Sequence, residues 1–141
     1  ISQRAVKRVA ALLPATGNLT IFNVVGACRI TDIYGLVEVV LPATTCLIKF
    51  TAVPTGLAAT DLCANSADLA SAAAETVISI TGTLATPAVL SPNKTRIAQA
   101  TALVVHTGIV RVTTTGSPAT GTVSWHCLYT PLTPGSYMIA A

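Results

Sequence analysis

Polar and apolar residues alternate along much of this chain with a period of two, the repeat of a strand whose side chains point to opposite faces. The clearest case is Thr45–Ala52, where Cys46, Ile48 and Phe50 fall on one face and Thr45, Leu47, Lys49 and Thr51 on the other. A second lies in Thr122–Thr130, with Val123, Trp125, Cys127 and Tyr129 sharing a face opposed to Ser124, His126 and Leu128. The same reading predicts strands over Leu19–Val25, Cys28–Tyr34, Leu36–Leu41, Thr76–Thr81, Ile97–Val105 and Ile109–Thr115, with a short edge strand over Asp61–Asn65. Gly35 is expected to bulge or kink the chain between two of them. Glycines and prolines punctuate the runs, and the stretch Thr83–Lys94, which carries Pro87, Pro92 and Asn93, reads as a long loop. Ser66–Glu75 is Ala-rich and reads as loop with at most a turn or two of helix.

The pair Ile109–Thr115 and Thr122–Thr130 flanks Gly116-Ser117-Pro118-Ala119-Thr120-Gly121, which predicts a β-hairpin. Trp125, the chain's single Trp, and Tyr129 would anchor the core there. Val110 and Val112 are the apolar set they should meet, which leaves Arg111 on a solvent or partner face. Eight or nine short strands in all describe a mainly β protein, a single antiparallel sandwich or barrel-like domain.

The two ends read differently. Residues 1–18 form a basic arm or helix: Val6, Val9, Ala10 and Leu13 fit a helical stripe, Ser2 could cap it, and Pro14 ends it. Against the helix, Arg4, Lys7 and Arg8 would oppose the dipole at its first turn, so an extended arm that pairs elsewhere is the competing reading. The β domain then covers 19–132. Residues 133–141 make an apolar tail that is expected to dock, with Tyr137, Met138 and Ile139 as its contact residues.

Composition sharpens this picture. Only 9% of the 141 residues are charged, against about 25% in an ordinary domain. So bare a surface is a hazard for a free monomer and is better suited to one covered by other subunits. The apolar content is high but no stretch reaches the roughly 20 continuous apolar residues of a spanning helix, and the chain lacks the strands and aromatic girdles of a membrane barrel. No membrane association is expected.

Catalytic chemistry finds little to work with. The acids Asp32, Glu38, Asp61, Asp68 and Glu75 are scattered, and no metalloprotease, nucleophile-elbow or phosphate-loop motif occurs. His126 and Cys127 are neighbours on a strand and so face apart; His106 could pair with a remote Cys, but nothing selects one. The expectation is no enzyme, no cofactor and no small-molecule substrate. Cys28, Cys46, Cys63 and Cys127 occur without a CxxC pair, and are expected as buried, reduced, metal-free thiols. The three N-terminal cations are few for nucleic acid and lie among no aromatic residues; docking on an acidic protein surface, or plain solvation, suits them better. Arg4, Lys7, Arg8 and Arg111 are the candidate docking cations.

The order of segments VKRVAALLPATGNLTIFNVVG, GLVEVV, LIKFTAVPTGLAATDLCA, TVISITGT and GIVRVTTTGSPATGTVSWHCLYTPL resembles a group of small tailed-phage structural proteins. The TDLC…ISITG middle and the closing Tyr129-Thr130-Pro131-Leu132 carry most of the likeness; the tail after Leu132 has no counterpart. The resemblance implies a virion component, assembled in the host cytoplasm, with no catalytic residue. A capsid decoration or minor capsid protein bound to the major capsid protein is the expected role, with a homotrimer favoured. A tail-tube or tail-tip component is the alternative, and a ligand- or carbohydrate-binding sandwich the third.

Overall fold

The computed structural model describes residues 3–92, 95 and 99–141, and every regular element among them is a strand. The strands are β1 (Arg4–Ala11), β2 (Gly17–Val25), β3 (Cys28–Val39), β4 (Cys46–Pro54), β5 (Thr60–Asp61), β6 (Val77–Ser79), β7 (Val89–Ser91), β8 (Leu103–Val105), β9 (Gly108–Gly116), β10 (Thr122–Pro131) and β11 (Tyr137–Ala140). They form two antiparallel sheets. One is six-stranded, in the order β1-β10-β3-β6-β7 with β8 also paired to β3; the other is five-stranded, in the order β11-β2-β9-β4-β5. The fold is a sandwich-like mainly β domain, and no barrel closes.

The inner faces carry the core in the way the alternation requires. Ile48, Phe50, Val110 and Val112 from one sheet face Ile33, Val37, Val123 and Trp125 from the other, and each is fully buried. Trp125 meets Phe50 edge-on, with ring centroids 5.6 Å apart and planes at 86°, a favoured aromatic geometry.

The expected hairpin is not one. β9 pairs with β2 and β4, whereas β10 pairs with β1 and β3, so the Gly116–Gly121 turn arches from one sheet to the other. Both strands carry an apolar inner face, and two central strands of a sandwich bury more by facing each other than by lying side by side. The facing of the side chains is nevertheless as read: Val110 and Val112 are buried with Trp125, and Arg111 points outward.

Gly35 also behaves differently from its reading. β3 runs unbroken through it, because Gly35 lies opposite Trp125, and a Cβ there would come within 2.5 Å of the indole. The glycine makes room for the ring rather than bending the strand.

At the N-terminus the extended reading replaces the helix. Residues from Arg4 pair antiparallel with β10, register Arg4↔Tyr129 to Arg8↔Trp125, with a bulge before Ala11↔Val123. The ladder along β10 outweighs the helical propensity of this Ala-, Arg-, Lys- and Leu-rich segment, which is too short to hold a helix by itself; the proposed cap at Ser2 lies outside the described residues. The apolar tail docks on the chain itself, as β11 against β2.

Two loop readings change as well. Val89–Ser91, within the expected loop Thr83–Lys94, pairs with β6 as β7; Asn93 and Lys94 lie outside the described residues, as does the start of the strand expected from Ile97. The Ala-rich Ser66–Glu75 has no helical turn. Its backbone bonds instead go to the sheets: Ser66 and Leu69 N–H donate to Ile48 and Cys46 carbonyls, and Leu41 N–H donates to Ala72 O. Asp68 fixes the crossing by accepting from Cys46 N–H (2.9 Å) and Ala70 N–H (3.0 Å), and these two bonds hold its carboxyl below the usual range.

Candidate docking surface

The candidate residues gather mainly along one side of the sandwich, where the edge strand β1 of one sheet runs beside the edge strand β11 of the other. Arg4 and Tyr137 meet there, in a depression of about 240 Å³ closed by Pro131, Thr133, Pro134, Gly135 and Ser136. Tyr129 ties the two sheets together behind it, its hydroxyl donating to Met138 O at 3.4 Å.

The period of two sorts β1. Arg4, Lys7 and Val9 are exposed, and Val6 and Arg8 are half-buried. A helical stripe would have buried Val9 with Val6 and Leu13; in the strand Val9 is 73% exposed while Leu13 is 4%. Arg8 shares a register position with Trp125, and its Nε is buried without a hydrogen-bond partner among the described residues. Neither Arg4, Lys7 nor Arg8 forms an ion pair among those residues; the pair found among them, Lys49 Nζ to Asp61 Oδ2 at 2.9 Å, lies on the other sheet.

Lys7 belongs to a cross-strand row on the outer face, Lys7–His126–Tyr34. The His126 and Tyr34 rings stack at 4.9 Å and 9°, and Ser124 Oγ lies 3.0 Å from His126 Nε2. With Ala5, Val6, Cys127 and Leu128 the row lines a shallow depression of about 200 Å³. His126 and Cys127 do face apart: Cys127 is inside the core, where burial, helped by Asp32 and Cys28, pushes its thiol far up.

The remaining candidates divide. In β11, Tyr137 and Ile139 are exposed at 40% and 50%, but Met138 is a core residue at 3%, so it serves the fold and offers no surface to a partner. Trp125 and Tyr129 are core residues, as read. Arg111 is not part of the β1–β11 edge. It sits mid-sheet between Thr20 and Thr51, close enough to Asp61 for its charge to help hold that carboxyl low. In comparisons with known proteins, no family model, no curated protein and no solved structure matches the chain.

All four cysteines are free and buried. Burial raises each thiol, Cys46 to about 11 with Asp68 adding to it. No cluster of three or more His, Cys, Asp or Glu able to hold a metal ion occurs among the described residues. What the sequence reading missed is the exposed apolar set: Val9, Leu12, Val39, Val40, Leu57, Leu84 and Val104 all stand more than two fifths exposed. Only Val9 carried a signal, in the alternation of Val6, Lys7 and Val9 that the helical stripe competes with.

Proposed function

We propose that this chain is a structural protein of a tailed-phage virion, a decoration or minor capsid protein that docks on the major capsid protein at the outer shell of the head. The observation that carries this reading is the surface itself. It has few charges, and large apolar side chains such as Val9 (73%) and Leu57 (72%) stand in the open; such residues, where they gather, mark surfaces that meet other proteins. The likeness of its segments to small phage structural proteins supports the same reading. A protein of this kind acts through buried area and fit, at roughly 25 cal/mol per Å² of apolar surface before the costs of association.

Electron cryomicroscopy of particles carrying a tagged copy tests it. Density at threefold or quasi-threefold positions of the head is the expected result, and density confined to the tail overturns it in favour of a tail component.

A further inference from the structure

We propose that the outer edge of β1 accepts an extended, acidic segment of a different protein as an added strand. The inference names the docking edge and the partner's chemistry for the virion reading, and in that sense rests on it.

β1 has one ladder partner among the described residues, β10; β11 of the other sheet runs close to it but is hydrogen-bonded to β2, so the far edge of β1 presents backbone N–H and C=O groups without a ladder. An edge of this kind is a template for strand addition. The stretch Arg4–Arg8 keeps regular register, and the bulge that follows sets a stop. An added strand therefore spans about the length of Arg4–Arg8.

Charge selects the occupant. A second copy of the chain pairing antiparallel through the same edge sets Arg4 against Arg8, Lys7 against Lys7 or Arg8 against Arg8 in most central registers, and directly opposed like charges destabilise a strand pair. Cations on an edge can serve merely to keep other strands away, but here they come with an apolar invitation. Val9 and Leu12 stand 73% and 57% exposed at the end of the run. Arg8 holds a buried Nε without an acceptor, and no carboxylate pairs with Arg4, Lys7 or Arg8 among the described residues. Arg4 and Arg8 share one face of β1 and Lys7 lies on the other, so a strand carrying Glu or Asp at alternate positions would set its acids beside the Arg4 and Arg8 side chains while its backbone completes the ladder.

The test uses the whole chain and three synthetic peptides: an alternating Glu/Val heptapeptide, its Lys/Val counterpart, and the Glu/Val peptide N-methylated at alternate residues. Calorimetry reads affinity, and amide exchange by NMR reads protection over Arg4–Arg8. The Glu/Val peptide is expected to bind at least about tenfold more tightly than the other two, to slow exchange at alternate β1 amides, and to lose its advantage to the Lys/Val peptide in the Arg4→Glu/Lys7→Glu variant. Equal binding of acidic and basic peptides overturns the proposal. So does undiminished binding of the N-methylated peptide, which would mean charge attraction without a ladder, and so does β1 protection that grows with protein concentration alone, which would make the occupant a second copy. The two readings fail separately: peptide capture by a chain absent from heads removes the capsid role and keeps the edge, while head density with β1 bare does the reverse.

Discussion

Gly35 and Trp125 are a matched pair, and neither can be understood alone. The indole occupies the space a side chain at 35 would fill, with ring atoms 2.5 and 2.8 Å from an added Cβ. Gly35→Ala should therefore destabilise the fold by about 1–3 kcal/mol, the usual range for overpacking. Trp125→Ala should cost about 3–5 kcal/mol; folded monomers of undiminished stability that fail to assemble would instead make Trp125 an interface residue. Since the clash at 35 needs the ring, the double variant should lose less than the sum of the two. Urea unfolding of the three variants checks this, and strict additivity would refute the pairing. The cysteines give a second prediction at this scale. Burial lifts the folded thiols above their ordinary value near 9.0, Cys46 to about 11. The folded state thus keeps protons that the unfolded chain loses, so stability is complete below pH 9.0 and declines as the pH rises toward 11. Alkylation at neutral pH without reductant should leave the folded thiols unmodified and label all four after denaturation. A bridge or stoichiometric zinc would overturn it.

Among the elements, the strands with strict alternation were the most legible. β4 follows its pattern of Cys46, Ile48 and Phe50 inward as far as Phe50; Thr51, read on the open face, is buried as well, with its hydroxyl bonded to Asp61 of β5. What alternation cannot supply is the partner. Ile109–Thr115 and Thr122–Thr130 show which face of each strand is buried, but a buried face is satisfied equally by a neighbour alongside and by a sheet opposite, and here it is the latter. β1 was ambiguous for another reason: Val6 and Ala10 suit either period, and only the ladder offered by β10 decides between them. The candidate site inherited that ambiguity, since a helix and a strand expose different residues, and it grouped Arg111 with cations that lie on the other sheet. The edge at β5 yields a modest prediction. The hydrogen bond from Lys49, together with Thr51, keeps Asp61 below its ordinary 3.8. Its contribution is present above that value and fades as the pH falls through the lowered one. The pair is solvent-exposed, so Asp61→Asn should lower stability by less than about 1 kcal/mol at neutral pH; a larger loss in thermal unfolding would show that β5 matters more than its two residues suggest.

For the whole molecule, a chain with 9% charged residues and several exposed large apolar side chains is ill suited to solitude. A closed homo-oligomer is the expected state, since closed symmetry covers apolar surface without growing fibres; a trimer is favoured by the capsid reading. Light scattering at micromolar concentration decides the point, and a stable monomer would count against it. The arch from β9 to β10 has a consequence for how the chain comes to be folded at all. β9 is the strand between β2 and β4, and β10 is the strand between β1 and β3. Each sheet thus waits for a centrepiece drawn from the last third of the sequence. A nascent chain that has emerged only as far as β8 holds β1, β2, β3 and β4 with no strand to join them in native order, and their apolar faces and edges stand open together. Loop closure over such distances is slow, and open edges of this kind invite association. Synthesis should therefore run well ahead of folding: chains stalled on the ribosome before Gly108 should be protease-sensitive throughout, and resistance should appear in a single step once β10 has cleared the exit tunnel.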